Sequence, residues 1–323
     1  MDFQRDYLSV IVPLFNEESN LPELHRRLKA VVTSLGFAKA EVLLVDDGST
    51  DSSESHIRKM VNEDSMFKGI FLTRNFGHQA ALSTGLAHSR GSLVVMIDGD
   101  LQDPPETIPQ LIAAIEAGAD VAYGVRKARK EYFLKRAAYS IFYRLLKKIA
   151  DIEIPLDTGD FACMTRKVVD SIVAMPERTR FLRGLRAWVG YRQTGVVYER
   201  AARFAGKSKY SLRGLFGLAY DGLFSFSKTP IRIMQFLGFG VSISALCMAI
   251  WYVIWWFIAG RNFPAGFATL AVSIWFLGGV QLLFLGFIGE YVVRGCEESR
   301  GRPIAIIREI VEKPGGENHP ASD

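Results

Sequence analysis

The sequence predicts a doubly wound α/β domain followed by a pair of membrane-spanning helices. Three features lead there: short apolar runs separated by helix-like segments, polar clusters at the ends of those runs, and two long uncharged stretches late in the chain. The 323 residues leave room for one large or two ordinary domains with a sizeable core.

The apolar runs read "LSVIV", "EVLLV", "GIFLT", "LVVMI" and "VAYGV". Continuous β-branched runs, rather than strict alternation, mark strands covered on both faces and hence a mostly parallel sheet. Pro22–Leu35, Ser53–Val61, Gln79–Ala87 and Pro105–Ala117 are the expected covering helices. Sheets of this class bind ligands beyond the carboxyl ends of their strands. "PLFNEE", "DDGSTD", "DGDLQD" and Arg126 all fall at such ends.

The second part follows from hydropathy. The chain is 49% hydrophobic, with a mean hydropathy of +0.13, and the excess is concentrated late. From Ile233 to Gly289 the only charged residue is Arg261, which leaves residues 233–260 and 262–289 uncharged. At ~1.5 Å per residue each reaches about 42 Å, against a hydrocarbon core of about 30 Å. Soluble helices of that length carry a charged face, and these have none. Lys228 and Arg232 precede the first span, and Arg294, Arg300 and Arg302 follow the second. The positive-inside rule therefore puts both flanks in the cytoplasm. Asp2, Arg5 and Asp6 precede an apolar run too short for a secretory signal. Cys163, Cys247 and Cys296 show no metal-binding spacing and suit a reducing compartment. Gly240 and Ser244 permit close helix packing, which is compatible with a homo-oligomer.

The run ending in "DGDLQDPPE" raises the chemical question. In an extended strand end Asp98 and Asp100 point the same way, and paired carboxylates are costly without a cation or donors to meet them. Hard divalent ions take such ligands, with substrate phosphates completing the shell. Asp103, two residues before Pro105, can serve as a helix cap. Asp51 or Ser52 can cap the next helix in "DDGSTDSS", and Glu17 can support the first helix's opening turn. Asp46 and Asp47 stand where a nucleoside would be held. Other readings fail on spacing. The first turn lacks a dinucleotide-binding glycine pattern, "GKS" at 206–208 lacks the earlier glycine at Ala201, and a calcium loop would need Gly at Asp103 and Glu at Pro109.

Taken together, "PLFNEE", "VDDGSTD", "RNFGHQAAL" and "DGDLQDPPE" resemble the successive signatures of glycosyltransferase family 2 with a GT-A fold. With "GDF", "GKSKYS" and two terminal spans, the chain resembles the polyprenyl-phosphate glycosyltransferases over nearly its whole length. The resemblance implies inverting transfer of a sugar from a nucleotide-sugar to a membrane polyprenyl phosphate. By position, Pro13, Glu17, Asp46 and Asp47 would hold the nucleoside, and Asp98 with Asp100 would be the D-x-D pair for Mg²⁺ or Mn²⁺. Gln102 and Asp103 would face the sugar. Relatives often carry Arg after "GDF", whereas Ala162 stands here, so a phosphate contact is moved or lost. The "GDF" form favours UDP-glucose as donor, with GDP-mannose the alternative.

The acceptor is an anion on a membrane. Nine Lys or Arg and one acid lie between Arg126 and Lys148, interleaved with apolar and tyrosine residues at helical spacing. That pattern reads as an interfacial amphipathic helix. Arg126, Arg203, Lys207, Ser208 and Lys209 are the candidates for phosphate contacts. Asp157 and Asp160 in "PLDTGDF" are the candidates for a base or for steering the acceptor. The expected layout is a GT-A domain over 1–210 with a basic interfacial segment at 126–150. An amphipathic helix at 211–230, spans at 231–260 and 262–293 and a cytoplasmic tail at 294–323 complete an integral cell-membrane protein. Four rivals fit less well. Nucleic acid binding and a nucleotidyltransferase have no need of spans, a processive synthase needs more of them for a channel, and a scaffold leaves the D-x-D pair unexplained.

Overall fold

A computed structural model describes residues 6–127, 158–178, 180–199 and 266–313, together with single helical positions between 236 and 258. The chain divides into two compact units: residues 1–147, 152–218 and 302–323, and residues 148–151 and 219–301.

Within the first unit, β1 (Tyr7–Leu14), α1 (Leu21–Ser34), β2 (Lys39–Asp46), α2 (Ser53–Glu63), β3 (Phe67–Leu72), α3 (His78–His88) and β4 (Leu93–Met96) follow one another. A 3₁₀ turn at Pro105–Thr107 leads into α4 (Ile108–Glu116) and β5 (Val121–Arg126). These are the expected strands and helices in the expected order. Their apolar runs are buried throughout: Leu8, Val10, Val12, Val42, Leu44, Leu93 and Val95 lie in one core with Leu24, Leu28, Ile57 and Leu111 from the helices. Strands β1–β2, β1–β4 and β2–β3 pair in parallel, because helical crossovers return the chain to the same sheet end.

Three further strands complete an eight-stranded sheet in the order β7-β5-β6-β4-β1-β2-β3-β8. β6 (Thr158–Thr165) runs antiparallel between β4 and β5. It is followed by α5 (Arg166–Val173), α6 (Leu182–Trp188) and β7 (Gln193–Tyr198), which pairs in parallel with β5. β8 (Ile307–Val311) pairs antiparallel with β3. The stretch expected as a tail thus returns a strand to the sheet. Arg58 joins Glu54 and Glu309, Arg308 joins Glu54, and Lys68 joins Glu312, closing that edge with ion pairs.

In the second unit, α7 (Phe267–Ser299) is a continuous helix of 33 residues. Among the described residues it is the one helix long and apolar enough to cross a membrane, over Phe276–Val293. Leu282, Leu285, Ile288 and Val292 are exposed along it. Most of the first expected span, and all of 128–157 and 200–235, lie outside the described residues.

Candidate active site

Four loops meet beyond the C-terminal edge of β1, β2, β3 and β4. The first two are laced together. Asn16 N–H donates to Ser49 Oγ (2.9 Å), Glu17 N–H to Ser53 Oγ (2.9 Å), and Thr50 N–H to Asn16 Oδ1 (2.7 Å). Glu18 and Asp51 add a reciprocal pair: Ser52 N–H donates to Glu18 Oε2, and Glu18 N–H to Asp51 Oδ2. Asp51 also accepts from Ser53 N–H, so its carboxylate organises the entry to α2. Asn16 holds a positive φ of 53° in this turn. Gly48 is required, since a Cβ there would stand 2.5 Å from the Arg74 backbone. Pro13 is buried at the end of β1, and Glu17 accepts from Asn20 Nδ2 at 2.5 Å.

Asp46 and Asp47 divide their work. Asp46 is buried at the strand end and accepts long contacts from Ser49 N–H (3.3 and 3.4 Å). Burial raises its carboxyl above the usual range. Asp47 is committed to the backbone: Phe76 N–H donates to Oδ1 at 2.7 Å and Gly77 N–H to Oδ2 at 2.9 Å. It fixes the loop ahead of α3, and therefore the first helical residue, His78.

The D-x-D stretch departs from the sequence expectation in its geometry. β4 ends at Met96, Asp98 lies beyond it, and Gly99 to Leu101 turn rather than extend. Gly99 allows the bend, because a Cβ there would lie 2.4 Å from Leu14 Cδ2. Leu101 is buried at φ 59°, and Gln102 N–H closes the turn on Asp100 Oδ1 at 3.1 Å. The expected shared direction of Asp98 and Asp100 on a strand therefore does not apply. Asp103 caps no helix either: the residue ahead of the 3₁₀ turn is Pro104. Fully buried, Asp103 accepts from the Tyr198 hydroxyl and lies 3.6 Å from Arg126 Nη2. Arg126 donates to that same hydroxyl at 3.3 Å. Both side chains turn inward and brace the loop from β5 and β7.

The centre of the site is a contact the sequence reading left unnamed. His78 Nε2 lies 3.4 Å from Asp98 Oδ1 and 3.4 Å from Asp160 Oδ2. Burial works to lower the imidazole, but the Asp160 hydrogen bond and the charges of Asp98 and Asp160 outweigh it and raise it to about 9. Asp98 is pushed up to about 6, first by burial and then by Asp103, Asp160 and Asp100, against the pull of His78. Asp160 goes the other way. Burial opposes its charge, yet Arg183 and His78 hold it well below the usual carboxylate range. Arg183 Nε and Nη2 donate to its two oxygens at 2.9 and 3.0 Å, and Gln79 Nε2 donates at 3.1 Å. Gln79 also accepts from Leu182 N–H, tying α3 to the start of α6. A carboxylate so stabilised is a poor proton acceptor, so the wiring of Asp160 is that of a charge anchor and not of a base. The string "FGHQ" carried His78 and Gln79 in plain sight. Arg183 had no signal beyond being a cation on a short helix.

Among the described residues no three His, Cys, Asp or Glu side chains gather to enclose a metal ion. The donors nevertheless suit a hard divalent cation shared with a substrate. Asp98 and Asp100 would supply carboxylate oxygens, and among the described residues Asp98 Oδ1 is buried without a hydrogen-bond partner. Asp157, Arg203, Lys207, Ser208 and Lys209 lie outside the described residues.

Residues 9–173 match the model of glycosyl transferase family 2. An uncharacterized glycosyltransferase of Synechocystis sp. is 41% identical over 304 residues, covering 94% of this chain and 95% of the relative. The bactoprenol glucosyl transferase of Shigella phage SfV is 39% identical over 307 residues, 95% of this chain and 99% of the relative. Glucosyl-3-phosphoglycerate synthase from Mycobacterium tuberculosis, solved with Mn²⁺, UDP-glucose and phosphoglyceric acid, aligns with 67% of this chain and 76% of its own. At 19% identity and a TM-score of 0.46, that likeness carries no residue-level argument.

Proposed function

This chain belongs to glycosyl transferase family 2, and from that premise we propose that it transfers glucose from UDP-glucose to a membrane polyprenyl phosphate, inverting the anomeric carbon. The supporting observation is the nearly full-length relation to a bactoprenol glucosyl transferase, which extends past the family domain through both predicted spans.

In this reading the loops after β1 and β2 hold the nucleoside, and Asp98 and Asp100 hold Mg²⁺ or Mn²⁺. The ion supplies charge stabilisation for the departing nucleoside diphosphate. His78 and Asp160 keep Asp98 in place, and Asp103 is kept in place by Tyr198 and Arg126. The nucleophile is a phosphate monoester, already largely dianionic with a second pKa of about 6, so it needs positioning more than deprotonation. Asp157 is the remaining candidate to steer it. Arg203, Lys207, Ser208 and Lys209, with the basic segment at 126–150, would meet its charge.

Membrane anchorage rests on α7 and on chain topology. β8 follows α7 in sequence yet lies in the same sheet as β1 to β7. If α7 spans a bilayer, the segment between β7 and β8 would have to cross it an even number of times for both strands to join one sheet. Two spans meet that condition and one does not. With the flanking Lys and Arg, this supports an integral membrane protein whose catalytic unit is cytoplasmic.

The test is transfer of labelled sugar from UDP-glucose or GDP-mannose to short-chain polyprenyl phosphate by the full-length protein in detergent, with Mn²⁺, Mg²⁺ or EDTA. Metal-dependent label in the lipid phase from UDP-glucose is expected. Label from GDP-mannose alone refutes the donor, and label in no lipid from either donor refutes the reaction.

A further inference from the structure

Arg186 has no role in the site as described. It lies on α6, three residues after Arg183. Only 1% of it is exposed, and among the described residues its Nε, Nη1 and Nη2 all lack a hydrogen-bond partner. A buried guanidinium with no acceptor for any nitrogen is costly, and such a group calls for a reason.

Its surroundings supply one. The guanidinium sits 5.1 Å from the ring centre of Tyr123. Tyr123 on β5 is opposite Ala162 on β6, and Ala162 shares a strand face with Asp160, two residues away. Arg186 therefore lies over the same patch of sheet as Asp160 and interacts with its charge. Burial lowers the guanidinium to about 10, so it remains a cation at neutral pH. Asp160 is already occupied by Arg183, Gln79 and His78. Three cations, His78, Arg183 and Arg186, thus surround a centre whose acids are Asp160 and Asp98. Arg183 is partly exposed, with 26% of its side chain accessible, whereas Arg186 is sealed behind it.

We propose that Arg186 is the reserve counter-ion of Asp160: it allows Arg183, one helical turn earlier, to leave Asp160 and take a phosphate group of a substrate. The exchange moves no proton and breaks no covalent bond. Asp160 passes from one guanidinium to the next, and the exposed one becomes free for phosphate oxygens, which it can bind bidentately. Arg186 is a positioning residue in this scheme, and Arg183 is the one that touches substrate. The inference rests on the proposed function only in needing a phosphate-bearing substrate. That phosphate belongs to the donor's diphosphate or to the acceptor lipid.

The full-length protein in detergent is titrated by calorimetry with UDP-glucose in the presence of Mn²⁺ and, separately, with a short-chain polyprenyl phosphate. R183M, R186M, R186K and the double variant R183M/R186M are compared in both arms. R183M and R186M should each weaken the same ligand by about tenfold or more, the scale of a lost charge-assisted contact. The double variant should be no worse than R183M, because the two residues act as one unit. R186K should recover part of the affinity, since it keeps a charge that packing alone would not need. The responding arm names the source of the phosphate. Wild-type affinity of R186M for both ligands overturns the proposal, whatever its melting temperature. So does additivity in the double variant, or a loss in R186M for a ligand that R183M binds normally. If R186M does not fold, R186K is compared with R186Q, and equal affinities overturn the proposal. A wild type that binds one ligand but transfers no sugar refutes the proposed function alone.

Discussion

Replacing Asp47 by Asn should loosen the loop that carries His78. The Asp47 carboxylate is buried and receives two backbone N–H groups, from Phe76 and Gly77. Asparagine keeps one acceptor oxygen but turns an NH₂ toward the second N–H. One charge-assisted bond is lost, worth ~1.5–3 kcal/mol, and a partly buried donor is left unmet, at ~1–3 kcal/mol. Part of this is returned. Burial raises the Asp47 carboxyl despite those two bonds, so removing the charge relieves a desolvation cost. A net loss of about 2 kcal/mol is the working figure, or roughly 4–8 °C in melting temperature for a domain of this size. Hydrogen exchange read by mass spectrometry should show faster exchange over residues 74–78, and kcat/KM for the donor should fall by about tenfold as His78 loses its seat. Unchanged protection across 74–78 would refute the claim that Asp47 holds this loop. Lost protection with unaltered kcat/KM would refute the link from the loop to His78.

Four other outcomes follow from the same contacts. H78F, close in size but without a ring N–H, should raise the donor KM by about tenfold while leaving the acceptor KM near wild type; equal changes in both would remove His78 from the donor side. Y198F should lower stability by ~1–3 kcal/mol, because buried Asp103 loses its hydroxyl donor; an unchanged melt would show the loop is braced elsewhere. Glu41 accepts from Ser9 Oγ (2.6 Å) and Arg90 N–H (2.9 Å) and lies 3.1 Å from Lys68 Nζ. Burial would raise its carboxyl, but these partners hold it below its usual range. Its contribution is therefore complete above the unfolded value of ~4.3 and is lost as pH falls through the depressed folded value. E41Q should flatten the acid limb of melting temperature against pH, and an unchanged limb would exclude Glu41 as its source. Ending the chain after Gly301 removes β8 and bares the β3 edge, so gel filtration should show aggregation; a monodisperse, active product would make β8 dispensable.

The parallel half of the sheet was legible because each strand is a continuous apolar run between polar turns, and burial on both faces writes itself into composition. The remaining strands were not. β7 reads "QTGVVY", partly exposed, and β8 reads "IREIV", with charges that look like a solvated tail until Arg58 and Glu54 are seen beside them. The acids were easy to find and hard to aim. Asp47 and Asp103 stand where a ligand contact is expected, but their partners are backbone at Phe76 and Gly77 and a hydroxyl at Tyr198, in loops and strands that local spacing cannot reach. The turn at Gly99 to Leu101 depends on a positive φ in a buried leucine, which only tertiary packing imposes. His78 was hidden differently. Its signature string was recognised, but a lone histidine acquires meaning only from the two carboxylates that folding brings to it.

The pairing of β8 with β3 sets an order of manufacture. Synthesis runs from the amino end at roughly 5–20 residues per second, so the 235 positions from Leu72 to Ile307 separate the two partner strands by about 12–47 s. Throughout that interval the nascent sheet has an open edge, and the uncharged stretches leave the ribosome before the strand that covers it. The sheet is finished last, after the long apolar helix has been made. A polypeptide that stalls in or before that helix therefore carries an unfinished sheet, with the β3 edge unpaired.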